Sequence, residues 1–175
     1  MTELSAIIQH ALKALECQHE LVILKPGEKV PLFPRWPEKT PDVDEISYWL
    51  TRGMNYGVKA KDMVILNKDA ADRRAYDWLR HRGLYFGSPW KTETRKGLHI
   101  FHRLAEGIEE ARSKIHHLGL PVDIITGRNR FVVGPGSKVA GHEYALHGQI
   151  VPVNELPDVP RDLFEKRCLL YTSDA

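Results

Sequence analysis

Cysteine is scarce: Cys17 and Cys168 are the only two among 175 residues. Two thiols offer neither a disulfide framework nor a zinc-ligand pattern, and they fit a reducing compartment. Long apolar runs are lacking as well, since no stretch approaches the length of a membrane-crossing helix. The amino terminus, Met-Thr-Glu-Leu-Ser, has no basic region leading into an apolar core, so it reads as neither a signal nor a transit peptide. Net charge is small at +2, and hydrophobic and charged contents of 42% and 27% are ordinary for a soluble globular chain. The length suits one domain with a real core and is short for two. The expectation is a soluble, cytoplasmic, single-domain protein.

The placing of charge says more than its sum. Arg73, Arg74, Arg80, Arg82, Lys91, Arg95, Lys96, Arg103, Arg112, Lys114, Arg128, Arg130 and Lys138 fall in the middle of the chain, with acidic residues toward both ends. Such a bias suits a phosphate-rich partner; a solvated mixed surface is the bland alternative.

In chain order, Thr2 can cap a helix whose apolar positions Ala6, Ile7, Ala11, Leu12 and Leu15 recur at helical spacing to about Glu20. Leu21 to Leu24 reads as a strand, followed by a Pro-Gly turn and a proline-punctuated loop anchored by Phe33 and Trp36. Asp42 and Glu45 open a helix that runs to Leu50 and stops at Gly53. Tyr56 to Val58 reads as a second strand, joined through Lys61-Asp62 to Met63–Leu66 as an antiparallel hairpin. Ala70 to Arg82 is an amphipathic helix ended by Gly83. Ser88 to Gly97 is polar and basic, and Leu98 to Leu104 alternates as a strand, with His99, Phe101 and Arg103 on its less buried face. Gly107 to Leu118 has helical period. His116 and His117 lie near its end, where they complement the helix dipole rather than bind a metal, because adjacent helical positions do not face each other.

Pro121 to Ile125 is a strand with one carboxylate, Asp123, among apolar neighbours; a buried carboxylate needs a cation or turn amides as partner. Thr126 to Arg130 reads as a turn and Phe131 to Val133 as the returning strand of a second hairpin, before Gly134-Pro-Gly-Ser137. Tyr144 to Leu146 is a last strand, and the segment from Pro152 to Phe164 docks through Leu156 and Leu163-Phe164. Residues 168–175, Cys-Leu-Leu-Tyr-Thr-Ser-Asp-Ala, read as translated adapter DNA of the kind used in sequencing libraries. The expected domain is therefore 1–167, with the natural chain continuing beyond it.

The most informative stretch is Met63 to Asp69. Its apolar run is too short for a helix and stops on Asn67 and Asp69, which the period of two places on one face. Paired oxygen donors at a strand end suit a hard cation such as Mg²⁺, which also takes water and substrate phosphate. On this stretch alone the blander alternative is a polar loop in which Asp69 caps the next helix, and it stays open at this point.

Taken in order, Lys29-Val-Pro-Leu, Trp36, Asn55-Tyr-Gly57, Val64 to Asp69, Thr94-Arg-Lys-Gly-Leu-His-Ile-Phe101, Val122-Asp-Ile124 and Phe131 to Ser137 resemble a known family. It is the amino-terminal domain of bifunctional primase-polymerases of plasmids and phages, within the archaeo-eukaryotic primase superfamily. The resemblance runs from about Glu3 to Phe164. It implies an α/β (α+β) fold, an RRM-like core with a mixed or antiparallel sheet flanked by helices. It also implies template-directed nucleotidyl transfer with two divalent metals, Mg²⁺ or Mn²⁺, held by three acidic residues. Carried onto this chain, the metal positions are Asn67, Asp69 and Asp123, and His99 is the histidine that touches the incoming nucleotide's phosphates. The nucleotide-binding set it implies is His99, Lys96, Arg95, Arg130, Ser137 and Asn55.

Two departures stand out: Asn67 occupies the first acidic position, and Lys96-Gly97 replaces the usual Gly-Gly before the histidine. An amide keeps an oxygen donor but removes a full negative charge from a site for hard cations. The resemblance implies nucleoside triphosphates and a single-stranded DNA template as partners, with a helicase domain or protein beyond the present carboxyl terminus, in a bacterial or archaeal host. Two other readings accompany it. One is a catalytically weakened nucleotide- or single-strand-binding domain of the same fold. The other is an RRM-like RNA-binding module, which wants aromatics on neighbouring strands, where Phe101 alone is placed on the candidate face.

Overall fold

The computed structural model describes residues 5–69, 71–105 and 122–159. Thr2, the helix expected over 107–118 with His116 and His117, Pro121, Leu163-Phe164 and the tail lie outside the described residues. Among the described residues the strands are Leu21–Leu24 (β1), Asn55–Asp69 (β2), Trp90–Glu93 (β3), Gly97–Arg103 (β4), Val122–Val133 (β5), Lys138–Val139 (β6), His142–Glu143 (β7) and Ala145–Gly148 (β8). The helices are Ala6–Glu16 (α1), Val43–Thr51 (α2) and Arg73–His81 (α3). β6 and β7 make a small hairpin; the other strands form one curled sheet in which every pairing is antiparallel. The expected α+β class is the class observed.

β2 is the spine. β5 runs along the whole of one of its edges, while β1 and then β4 share the other. The order continues from β4 to β3 and β8. Two expected hairpins are corrected here, because β2 and β5 are each continuous. Lys61-Asp62 is an irregularity within β2, with Asp62 at φ 59°, and β5 bends beside it at Gly127, φ 104°. The register slips between Lys59 and Ala60 and again between Ala60 and Val64. A strand can absorb extra residues as a bulge without reversing, so turn-like residues there bend both strands together. Thr126 secures the bend by donating its hydroxyl to the Met63 carbonyl at 2.7 Å.

Alternation along β2 gives each face of the sheet its own core. Met63, Ile65 and Phe101 pack with Ile8, Ala11 and Ala14 of α1 and Ile46 and Leu50 of α2. Val64, Leu66, Ile100, Val122 and Ile124 pack on the reverse face with Ala75 and Leu79 of α3. Burying each large aliphatic side chain contributes about 1.5–3 kcal/mol. The expectation of a less buried face on β4 is corrected: His99 and Phe101 are buried, as Ile100 and His102 are on the other face. Phe101 stacks flat on Trp90, centroids 3.7 Å apart, and offers no ring to a base.

Helix starts follow their side chains. Asp42 accepts from the Glu45 amide at 2.9 Å, and Asp72 from Ala75 at 2.9 Å. α3 therefore begins later than the expected Ala70, and Asp72 caps it rather than Asp69. β3 lies in the stretch read only as polar and basic; Trp90 and Thr92 alternate inward there with Lys91 and Glu93 outward.

Candidate active site

Asn67 of β2 is paired in register with His99 of β4 on one side and Asp123 of β5 on the other. Side chains directly opposite across antiparallel strands have Cβ atoms about 4.5–5.5 Å apart, so the three stand in one row on one face. Asn67 donates its amide to Asp123 Oδ2 at 3.5 Å, a long and weak bond. Asp69, two residues on, shares that face, and diagonal placement sets it about 7–8 Å from Asp123. It is exposed, and its Oδ1 accepts from the Ala71 amide at 2.9 Å.

A cleft of about 580 Å³ opens beside this row, lined among others by Asn67, His99, Arg95, Lys96, Lys29 and Tyr144. Arg95 and Lys96 reach it from the β3–β4 loop. Thr94 clamps that loop: its hydroxyl accepts from the Gly97 amide and its own amide donates to the Gly97 carbonyl, both at 2.9 Å. The cleft wall thus carries three cationic side chains together with Asn67 and His99, while Asp69 and Asp123 lie in the neighbouring row and do not line it.

His99 is 8% exposed, and its Nδ1 has no hydrogen-bond partner among the described residues. Burial, with the Lys29 ammonium adding to it, pushes the imidazole down to about 4, so it is neutral near pH 7. The ring lines the cleft, and this unused nitrogen is itself buried in its wall. Burial also raises the Tyr144 hydroxyl, which stays protonated beside it; the two rings are 6.3 Å apart.

The remaining expected contacts fall elsewhere. Asn55 donates to the Lys138 carbonyl at 2.6 Å and the Glu28 carbonyl at 3.2 Å, and accepts from the Lys138 amide at 3.1 Å. It therefore ties the loop carrying Lys29 to the β6 loop. Ser137 is fully buried and bonded to the Tyr56 backbone at 3.2 Å. Neither side chain lines the cleft, and both have their polar atoms occupied within the protein. Arg130 is exposed on β5 and does not line the cleft. In the Gly-Pro-Gly-Ser segment, a Cβ on Gly134 would lie 2.2 Å from the Tyr56 ring, so that glycine is demanded by packing.

Lys29 and Tyr144 are the cleft residues that sequence reasoning missed as site residues. Lys29 carried a signal, a lysine just past a Pro-Gly turn within the quoted motif set; Tyr144 carried none. As a metal site the donors are two carboxylates and one amide, all hard oxygens. No group of three or more His, Cys, Asp or Glu comes together among the described residues. By their chemistry alone these donor types are the ones a hard divalent ion takes.

A family model, bifunctional DNA primase/polymerase, N-terminal, matches residues 11–159. No curated protein matches the sequence.

Proposed function

Given that the chain belongs to the bifunctional DNA primase/polymerase N-terminal family, we propose that this cleft carries out template-directed nucleotidyl transfer on a DNA strand, taking nucleoside triphosphates with Mg²⁺ or Mn²⁺. The observation that carries the reading is the row His99–Asn67–Asp123 on three adjacent strands beside a cationic cleft. Asp69 and Asp123, with the amide oxygen of Asn67, would hold the ion. When bound, such an ion activates the attacking hydroxyl and neutralises phosphate charge.

The chain's own groups supply the rest. Lys29, Arg95 and Lys96 put positive charge where a triphosphate lies, and charge-assisted bonds from them orient it. Neutral His99 can donate one N–H to a phosphate oxygen, and in a buried site that donor stabilises charge developing in the transition state. Tyr144 stands beside His99 as a second protonated donor. Asn55 and Ser137 act one step back, by fixing the loops that hold Lys29 and Lys138.

A nucleotide-binding domain with weak catalysis is the second reading, favoured by Asn67, whose amide already leans on Asp123. Labelled-nucleotide incorporation on a primed single-stranded template separates the two. Asn67→Asp is expected to raise incorporation and to tighten apparent Mg²⁺ affinity on the order of tenfold. Asp123→Asn in that restored protein is expected to cancel the gain. A well-folded Asn67→Asp protein with no gain in either would leave the binding reading.

A further inference from the structure

On the reverse face of the sheet, behind the site, lies a second cleft of about 720 Å³. Lys68 stands between Asn67 and Asp69 in sequence, so strand alternation turns its side chain onto this opposite face. The cleft is walled by Lys68, Arg73, Tyr76, Tyr85, Phe86 and Lys91. Tyr85 packs edge-on against Tyr76 at 4.8 Å and against Phe86 at 4.7 Å, giving a run of three rings. Phe86 is 66% exposed, the most of any large apolar side chain described, although it sits next to partners that could have covered it.

The cations of this cleft are unusual in their pairing. Lys68 is 6% exposed, yet its ammonium makes one hydrogen bond, to the Asp69 carbonyl at 3.0 Å, and lies 5.7 Å from the Tyr76 ring. Lys91 likewise makes one, to the Ser88 carbonyl at 3.0 Å, and lies 5.8 Å from the Tyr85 ring. Neither meets a carboxylate among the described residues. An ammonium has three donors, so both have N–H groups directed at nothing within the protein. Glu93, on the same wall, is occupied by His147 at 3.0 Å.

Exposed rings beside under-used ammoniums are the recognition chemistry of a single strand of nucleic acid, in which bases stack and phosphates meet cations. We propose that this cleft binds single-stranded DNA, with a base stacked on Phe86 and adjoining phosphates on Lys68 and Lys91. Because the two clefts lie on opposite faces at the same end of β2 and share the β3–β4 hairpin, a strand held here can pass that edge toward Asn67 and Asp123. The proposal takes from the preceding reading only that DNA is the polymer; the cleft itself is separate from the nucleotide site.

The test uses the whole chain, fluorescence anisotropy with labelled oligo(dT) of about 12 nucleotides, and titration with a fluorescent nucleoside triphosphate. Phe86→Ala is expected to weaken oligo(dT) binding roughly tenfold, the scale of one lost stacking contact, and Phe86→Trp to restore it. Lys91→Ala is expected to weaken it further and flatten its salt dependence. Triphosphate affinity is expected to stay unchanged in all three. Equal oligo(dT) affinity in the Phe86→Ala, Lys91→Ala double variant overturns the proposal. So does a wild type that prefers duplex of the same length, or a parallel loss of triphosphate binding. A protein that holds oligo(dT) but no triphosphate would sink the nucleotide-site reading and leave this one standing. Phe86 and Lys91 are not core side chains, so these variants are expected to melt as the wild type does.

Discussion

His99 and His102 stand three residues apart on β4 and both are buried, on opposite faces of the sheet. Burial first, with Lys29 adding to it for His99, pushes each imidazole down to about 4. An unfolded histidine titrates near pH 6.5. Above that pH both states are neutral and stability is at its full value. As pH falls below about 6.5 the unfolded chain takes up protons that the folded one refuses, so stability drops until the folded imidazoles titrate near 4. Urea unfolding at about pH 5 is expected to show a loss on the order of 2 kcal/mol per histidine relative to about pH 7. His99→Gln is expected to keep only about half of that dependence. A flat profile between those two pH values would mean that the imidazoles are already paired and charged. Under the proposed function the same neutrality lets His99 offer a phosphate one N–H donor and no charge, which leaves the charge to Lys29, Arg95 and Lys96.

At the scale of single elements, the stretch from Asn67 to Ala75 divides between two aspartates that look alike in sequence. Asp72 is the cap of α3, accepting from the Ala75 amide, and it is followed by a helix whose last turn holds Arg80 and His81 against the dipole. Asp69 ends β2 with an exposed carboxylate that makes a short turn with the Ala71 amide. Asp72→Ala is expected to cost about 1 kcal/mol in chemical denaturation, the usual worth of a cap. Asp69→Ala is expected to cost less than that and to abolish divalent-ion binding followed by calorimetry. The reverse ranking would return Asp69 to a purely structural role. The reading of Asp69 as helix cap was open in the sequence because either aspartate could precede the first apolar turn; only the position of the first helical amide separates them.

Across the whole molecule, the bend shared by β2 and β5 is held by one group of charges. Glu20, at the entry to β1, pairs with Lys61 at 2.9 Å, Arg128 at 3.2 Å and Lys59 at 3.6 Å. Burial would raise the Glu20 carboxyl, but Lys61, Arg128 and Lys59 overcome it and hold it below its ordinary range. The Lys59 side chain is fully buried, and its ammonium also donates to the carbonyls of Lys39 and Pro37. Glu20→Gln leaves that buried ammonium without its counter-charge, a loss of about 3 kcal/mol or more when one partner of a buried pair is removed. Denaturation midpoints of Glu20→Gln against Lys61→Ala check this, since the exposed Lys61 is expected to cost under about 1 kcal/mol. Equal costs would make the group a surface network with no hold on the bend.

The order of elements, the helix cap at Asp42, the short apolar run of β1, the alternation of β4 and the strand end at Asn67 and Asp69 were legible from residues alone, because each rests on neighbours in the chain. The motif order was legible for the same reason. What the chain could not disclose is what depends on partners far away in sequence. Lys61-Asp62 and Thr126–Arg130 carry turn chemistry, and only the pairing of β2 with β5 along its whole length makes them bulges instead of reversals. β4 alternates, but tertiary packing buries both of its faces, and that burial drives its histidines neutral. Trp90 and Thr92 became a strand through register with β4. The row of His99, Asn67 and Asp123, and the entry of Lys29 and Tyr144 into its cleft, follow from strand register and loop ties, contacts that span most of the chain and leave no local pattern to read.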